Sequence, residues 1–454
     1  MNYVVISDLH IGADTKLDIF RAQASLANFL KFVATEPTTL IINGDFLDFL
    51  AVQPFGVFSR EAAEKKVENI IKAKSNTILW EGFRTFLSAN TQNRIEVLLG
   101  NHDIELIFDQ VQNALRGVMA PANEGERLQF KTDHVTHLNF TVGDVPIHLE
   151  HGFQYDPFNW YNHGKLLGST IHGSSGETFD LPFGSHLVYD VLNKLTPEHP
   201  FVPLIKPEPA VAMLMLALAP REVSSRLRMI PGMAIDNLKI KLNMRLTGQQ
   251  FAPEPIDREG GQSAIEAQID EMIFQDDLDE ETTAGVIEFL ETGGDDAVSF
   301  SFLGDLKTKG KLYLLRRGLM TLQDDRKAFF DANQRDDFQK ALEGILDLGA
   351  KAAILGHSHA MKMLPLNSAN DPQRSLLYVN TGTWANLLDF DLDQLATDEA
   401  LLQWLDDMDH GKVSPTLIFT CAKLIPVAGG GVRLSLERWK DDDLATVSEV
   451  QITP

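Results

Sequence analysis

Five short apolar runs along the chain each end in a cluster of polar residues. The runs are YVVI (3–6), TLII (39–42), IEVLL (95–99), VPIHLE (145–150) and AAIL (352–355). Runs of this length that are rich in Val, Ile and Leu predict buried β-strands. The polar residues that follow them therefore fall at the carboxyl ends of predicted strands, which is where α/β proteins bind their ligands.

Amphipathic stretches separate several of these runs. Helix-like patterns cover roughly 17–33, 60–89, 104–115 and 335–348, and strand–helix alternation of this kind predicts an α/β core. Near the C-terminus, an acidic helix-like stretch (about 393–410) precedes two apolar segments that flank Ala428-Gly429-Gly430-Gly431. This arrangement predicts a β-hairpin that adds antiparallel strands to the core.

The alternation stops between residues 153 and 330. This part begins rich in Pro, Gly and aromatic residues, becomes rich in Met and Leu around 210–245, and is acidic after 253. The stretch FAPEPIDREGGQS (251–263) is typical of a mobile loop. We therefore predict a core formed by 1–152 and 331–454, with 153–330 as a mainly helical insertion that caps it.

The charge balance limits the partners that the protein can have. The chain of 454 residues is 44% hydrophobic and 23% charged, which is a globular composition, and its net charge is -24. Such an acidic surface repels phosphate backbones and disfavours nucleic-acid binding. The segment Pro253–Asp296 alone holds 15 acidic residues and one Arg, a local net charge of -14.

Cysteine content and apolar runs indicate the compartment. Cys421 is the one cysteine in the chain, so no intramolecular disulfide can form, and the N-terminus lacks the pattern of a signal peptide. Both observations predict a cytoplasmic protein. The longest apolar run, AVAMLMLALA (210–219), has ten residues, about half of what a membrane-spanning helix needs. It favours a buried or interfacial helix and leaves transient contact with a membrane surface as an alternative.

The residues at the predicted strand ends are those that bind transition metals. They are Asp8, His10, Asp45, Asn101, His102, His151, His357 and His359. Carboxylates and neutral imidazoles are the common ligands for Zn, Fe, Mn and similar cations. The set is too large for a single open metal site and suits two metals that share a bridging carboxylate.

This set, in this order, resembles the calcineurin-like metallophosphoesterase superfamily. The resemblance rests on five blocks, which are Asp8-x-His10, Gly44-Asp45, Gly100-Asn101-His102-Asp103, His151-Gly152 and Gly356-His357-x-His359, and it covers 1–152 and about 335–390. Each block alone is a weak signal, but five in order after apolar runs are a strong one. The resemblance implies a four-layer α-β-β-α sandwich of two mixed sheets.

The resemblance also implies a role for each residue. Asp8, His10 and His359 would hold one metal, Asn101, His151 and His357 the other, and Asp45 would bridge them. His102 would act beside the leaving-group oxygen, with Asp103 orienting it. The nucleophile would be a hydroxide held by the metals, for which the resemblance favours Mn, with Fe, Zn or Mg as alternatives.

Three neighbouring residues leave alternatives open. His148 could compete with His151 as a ligand, although His151 is favoured because it lies at the strand end. Asp48 is expected to cap a helix or brace a loop. Many relatives carry Asp directly after the His-Gly block, whereas the acid here is Asp156, four residues after Gly152; we expect it either to face the pocket or to leave the pocket wider and more apolar.

The sequence thus predicts a metal-dependent hydrolase of a phosphate ester or phosphoanhydride. The predicted partner is a small molecule, either a phosphomonoester, a phosphodiester or a nucleotide-linked compound. One alternative is an activity like that of the superfamily's UDP-diacylglucosamine pyrophosphohydrolases, with the Met/Leu-rich stretch covering an acyl chain. A nuclease is disfavoured because the chain is acidic. A non-catalytic metal-binding scaffold of the same fold is the alternative from another class of protein.

Overall fold

The computed structural model describes most of the chain outside the insertion. The described residues are 1–132, 137–156, 158–171, 179–205, 218, 280–292, 309–316, 319, 329–335, 342, 345–346, 349–368, 375–388 and 397–454. Two mixed β-sheets with helices make up this part of the structure. The predicted fold class, an α/β sandwich of two mixed sheets, is confirmed.

The first sheet has seven strands and the second has five. The strands are β1 Asn2–Ile6, β2 Thr38–Asn43, β3 Arg94–Leu98, β4 Leu128–Lys131, β5 His137–Val142, β6 Val145–Glu150, β7 Ala352–Leu355, β8 Met361–Asn367, β9 Ser375–Thr381, β10 Phe419–Pro426, β11 Val432–Lys440 and β12 Asp443–Ile452. The strand order is β12-β11-β10-β1-β2-β3-β4 in the first sheet and β5-β6-β7-β9-β8 in the second. All five predicted strands and the C-terminal hairpin are present.

The parallel strands of both sheets carry the site. In the first sheet β1, β2 and β3 are parallel neighbours, and in the second sheet β6, β7 and β9 are parallel neighbours. The carboxyl ends of parallel neighbours lie at one edge of their sheet, so the polar residues that follow each set of strands are gathered at one edge.

Helices cover the outer face of the first sheet. The helices of the described residues are α1 Gln23–Val33, α2 Arg60–Lys72, α3 Thr77–Ala89, α4 Asp109–Met119, α5 His163–Ile171, α6 Phe183–Leu187, α7 Asn193–Leu195, α8 Glu280–Thr292 and α9 Asp398–Asp409. Apolar side chains of α1–α4 pack on alternate residues of β1–β3, and the opposite side chains of those strands pack between the two sheets. Leu342 and Ile345 pack on the outer face of the second sheet, as a fourth layer requires.

The helices begin and end differently from the sequence pattern in three places. Residues 17–22 are not helical, because Asp18 turns back to accept hydrogen bonds from the amides of Ala13 (3.3 Å) and Thr15 (3.1 Å). The stretch 60–89 is two helices, with Ala73 extended between them. The predicted helix at 104–115 starts as a 3-10 turn (Ile104–Ile107), and α4 begins only after the extended residue Phe108. Of the predicted helix at 335–348, only residues 335, 342, 345 and 346 are described.

The chain divides into two compact units. The first comprises Met1–His186, Lys327–Asn386 and Leu417–Pro454, and it contains both sheets. The second comprises Leu187–Arg326 and Leu387–Thr416. Within its described residues the second unit is mainly helical, and Phe201 packs edge-on against Trp404 with ring centroids 5.5 Å apart. The predicted boundaries of core and insertion, at 152/153 and 330/331, stay a prediction.

Several predictions for the insertion fall outside the described residues. They concern the apolar run 210–219 except Leu218, the loop 251–263, and the acidic segment 253–296 except α8. Among the helices that are described, none combines the length and the apolar composition that crossing a bilayer demands.

A buried ion pair ties α2 to the turn that follows His102. Lys66 Nζ lies 2.8 Å from Glu105 Oε1, and both side chains are almost fully buried. Removing one member of such a pair leaves the other charge buried without compensation, whereas removing both together leaves none. The pair therefore fixes the 3-10 turn that begins immediately after the predicted site residues of β3.

We expect Lys66→Met to lower the free energy of unfolding by about 3–5 kcal/mol, because Glu105 loses its partner. The double variant Lys66→Met/Glu105→Met should recover most of that loss. Lys65→Met, on the exposed face of the same helix, is the matched control and should change stability by less than about 0.5 kcal/mol. Chemical denaturation measures all three, and equal stabilities of the Lys66 and Lys65 variants would contradict the assignment.

Candidate metal centre

Among the described residues, two clusters of possible metal ligands that share Asp45 lie at the carboxyl ends of the parallel strands, and a third, of His10, Asp48 and His102, lies beside them. Asp8, His10, Asp45 and His359 form the first, and Asp45, His151 and His357 form the second. Within each cluster, one ligand atom from every residue lies within 4.8 Å of the others. These are the groupings that the resemblance implied, with Asp45 common to both.

Asp45 occupies the centre of the arrangement. Its Oδ2 lies 3.2 Å from His151 Nε2 and 3.7 Å from His10 Nε2. Its Oδ1 accepts a hydrogen bond from the backbone amide of His102 at 2.9 Å. A carboxylate with one oxygen between imidazoles of both clusters is placed to bridge two cations.

Five of the predicted ligands have a left-handed backbone. The φ angles are 52° at Asp8, 52° at His10, 49° at Asp45, 68° at His357 and 61° at His359. Residues other than glycine avoid this region because the Cβ atom crowds the backbone, and each instance costs about 1–3 kcal/mol. Such strain gathered in one place is typical of a functional site, where the fold holds side chains in positions that an unstrained turn does not provide.

Glycines allow the strand ends to approach one another closely. A Cβ atom at Gly100 would overlap the carboxylate of Asp45. A Cβ atom at Gly44 would lie 2.5 Å from the ring of His151, and Gly44 has a φ of 81°. Side chains at these two positions would push the ligands apart, which accounts for glycine beside Asp45 and Asn101.

The donor atoms of the second cluster suit a cation. His151 Nδ1 lies 2.7 Å from the carbonyl oxygen of Asn43 and donates to it, so in the neutral ring the lone pair is on Nε2. Among the described residues, the buried Oδ1 of Asn101 has no hydrogen-bond partner, whereas His151 Nε2 lies 3.2 Å from Asp45 Oδ2. Buried polar atoms are nearly always satisfied, so the unsatisfied Oδ1 of Asn101 fits the metal-ligand role that the resemblance implies for it.

The electrostatics indicate an excess of negative charge. Burial raises the pKa of Asp45, but His151, His102 and His10 lower it more, leaving it well below its ordinary value. Burial lowers the pKa of His151, but Asp45 and Asp8 raise it to about 10. Burial and the charge of Asp45 raise the pKa of Asp103 to about 7. The carboxylates thus attract positive charge strongly, which protons or cations can supply.

Residues after β9 brace Asp8. Thr383 Oγ1 donates to the backbone oxygen of Asp8 at 2.7 Å, and Ser7 Oγ contacts both the Asp8 carboxylate and Thr381 Oγ1, the latter at 2.7 Å. The amide of His357 donates to the Asp8 carboxylate at 3.1 Å. The segment YVNTGTW (378–384) therefore supports the ligands from behind.

His102 lies beside the first cluster, and its carboxylate partner is Asp48. His102 Nδ1 is 3.1 Å from Asp48 Oδ1, and the His102 ring lies edge-on to His10 with centroids 4.6 Å apart. Asp48 also accepts a hydrogen bond from the amide of Ala51 at 3.2 Å, so it braces the loop as expected. The sequence pattern did not assign Asp48 a role beside His102, although Asp48 lies only three residues after Asp45.

The role predicted for Asp103 needs correction. Its carboxylate accepts hydrogen bonds from the backbone amides of Gly100 at 2.6 Å and Phe46 at 2.7 Å. It therefore joins the loop after β3 to the loop after β2, and the contact that orients the His102 ring comes from Asp48. Sequence adjacency favoured Asp103, but the backbone turn directs its side chain into the fold.

His148 and Asp156 differ in their position relative to the two clusters. His148 bonds to Asn139 (2.8 Å) and lies 3.3 Å from Glu150, away from both clusters. Asp156 does face the site, because its Oδ2 lies 2.9 Å from His357 Nε2. The first alternative for Asp156, that it meets the pocket, is the arrangement in the structure.

Comparison with known protein families gives a match to the first part of the chain. The model of the family described as calcineurin-like phosphoesterase matches residues 1–196. This range includes the first four blocks of the site, and His357 and His359 lie beyond it. No curated protein matches the chain.

We expect Asp45→Asn to remove at least one of about two bound transition-metal ions, because the bridging charge is lost. Asp109→Asn, an exposed substitution at the start of α4, is the control and should retain the metal content of the natural protein. Elemental analysis after loading with Mn²⁺ measures both. Full metal content in the Asp45 variant would show that this carboxylate is not a bridge.

Proposed function

Since residues 1–196 belong to the calcineurin-like metallophosphoesterase superfamily, we propose that the protein is a hydrolase of phosphate esters or phosphoanhydrides that uses two divalent cations. The observation that carries the proposal is the pair of buried Asp/His clusters that share Asp45. Two-metal centres of this kind serve phosphoryl displacement, in which both the attacking and the leaving oxygen develop charge.

The residues present would divide between two cations. Asp8, His10 and His359 would hold the first, Asn101, His151 and His357 the second, and Asp45 both. Bound cations would lower the pKa of water and neutralise charge on the phosphoryl oxygens. Mn²⁺ is the cation we propose, and Fe, Zn and Mg are the alternatives for these ligand types.

His102 is suited to act on the leaving group. Its side chain is 15% exposed, whereas the ligands in both clusters are more deeply buried. The Asp48 carboxylate can only accept, so His102 Nδ1 carries a proton in their contact, and Nε2 is the nitrogen that can meet a substrate. A proton on Nε2 would pass to the leaving oxygen, and Asp48 would stabilise the charged ring.

The substrate class that we propose is a small phosphoester or a nucleotide-linked phosphoanhydride. The Mn-loaded protein should be assayed side by side with an aryl phosphomonoester, a bis-aryl phosphodiester and a nucleotide sugar. Turnover of one of them that depends on added metal supports the enzyme. A metal-free preparation that cannot be reconstituted with Mn²⁺ supports the non-catalytic scaffold instead.

We expect His102→Ala to slow turnover roughly 10²–10⁴-fold, because the proton donor is lost, while metal content stays unchanged. His410→Ala removes an exposed histidine from the C-terminus of α9 and should leave the rate unchanged. Steady-state kinetics and elemental analysis are run on the same preparations. Loss of metal in the His102 variant would make this residue a ligand rather than an acid.

The reassignment of the orienting carboxylate gives a separate expectation. Asp48→Asn should lower kcat roughly 10–100-fold at unchanged metal content, because the His102 ring loses its charged partner. Asp103→Asn should mainly lower the thermal stability, because one of the two backbone amides that bond to this carboxylate then faces an NH₂ group instead of an oxygen. If Asp103→Asn lowered kcat as much as His102→Ala and Asp48→Asn did not lower it, the role predicted from the sequence for Asp103 would be restored.

A further inference from the structure

Asp156 is a carboxylate at the site that belongs to neither of the two clusters that share Asp45. Asp156 Oδ2 lies 2.9 Å from His357 Nε2. The second cluster, in which ligand atoms lie within 4.8 Å of one another, contains Asp45, His151 and His357 among the described residues, and Asp156 is outside it. Asp156 therefore contacts a predicted ligand without belonging to that ligand's cluster.

The contact determines which nitrogen of His357 can bind a metal. A carboxylate accepts hydrogen bonds and cannot donate them, so the proton of a neutral His357 ring lies on Nε2 when it bonds to Asp156. The lone pair is then on Nδ1. Carboxylate–histidine–metal arrangements work in this way: the outer carboxylate fixes the tautomer and the ring orientation and raises the basicity of the ligating nitrogen.

We propose that Asp156 is a positioning residue for His357, and that it sets the affinity of the second cation position. This inference rests on the two-cation centre of the proposed function. It gives the segment after β6 a defined role, which is to hold a carboxylate against the ring of His357.

Asp156 is held in place by its own turn. Its Oδ1 accepts from the amide of Phe158 at 2.9 Å, and its Oδ2 accepts from Asn159 Nδ2 at 2.7 Å. The carbonyl oxygen of Phe158 in turn accepts from the amide of Gly184 at 2.8 Å. The carboxylate is thus fixed by three contacts, to Phe158, Asn159 and His357, and is not a side chain that happens to lie near the ring.

The residue before Asp156 is anchored to β6. Tyr155 donates its hydroxyl to Glu150 Oε1 at 2.6 Å, and Glu150 lies 3.3 Å from His148 Nε2. His148 in turn contacts Asn139 on β5 at 2.8 Å. Polar residues on the outer face of the second sheet therefore hold one end of the segment, and the turn around Asn159 holds the other. Both ends keep Asp156 against His357.

The test is a titration of the metal-free full-length protein with Mn²⁺. Calorimetry and the electron paramagnetic resonance of Mn²⁺ monitor the binding of each equivalent. Asp156→Ala should weaken binding of the second equivalent roughly 10–100-fold and leave the first unchanged. Asp156→Asn keeps one oxygen, which can accept either from the turn or from the ring, so it should show a smaller loss in the same direction. Asp180→Ala, whose side chain is 93% exposed, is the matched control and should bind both equivalents normally.

Other outcomes separate this inference from the proposed function. If the natural protein binds two equivalents and both Asp156 variants bind them equally well, Asp156 does not position His357. Tighter binding in Asp156→Ala would also overturn the inference, because the carboxylate would then compete with the cation for the ring. Equal loss of both equivalents would assign Asp156 to the fold alone. If the natural protein binds fewer than two equivalents, the two-cation centre itself fails.

Discussion

The structure depends on one carboxylate being within reach of two sets of imidazoles. Asp45 follows β2 of the first sheet, whereas His151 and His359 follow strands of the second. The ends of both sheets must therefore meet at Asp45, and the apolar layer between the sheets, with Val5, Ile41 and Ile354, fixes that distance. The packing of this layer therefore determines the geometry of the metal centre.

Bringing these residues together strains their backbone and buries their charges, and contacts from neighbouring residues compensate for both. Five ligand residues adopt left-handed backbone angles, and the carboxylates of Asp8 and Asp45 are fully buried side by side. Hydrogen bonds from Thr383, His357 and the amide of His102 hold these groups in place. Bound cations would relieve the charge, so we expect metal binding and folding stability to reinforce each other.

Much of the fold and most of the site follow from local patterns. Each of the five apolar runs of four to six residues forms a strand, and the polar residues that follow these runs include the members of both clusters. What the sequence did not predict depends on side-chain direction. Asp103 is the neighbour of His102 in the sequence, whereas Asp48 lies in the loop after β2. The geometry of the turns brings the carboxylate of Asp48 to the His102 ring and directs that of Asp103 to the amide of Phe46. Asp156 reaches His357 across 201 positions of the chain, and no periodicity encodes such a contact.

The central claim is that Asp45 bridges two cations, and anomalous diffraction from Mn-loaded crystals tests it most directly. We expect two anomalous peaks about 3.5–4 Å apart, one on each side of the Asp45 carboxylate, with His10 and His359 at the first and His151 and His357 at the second. A single peak, or two peaks that do not share Asp45, would contradict the account.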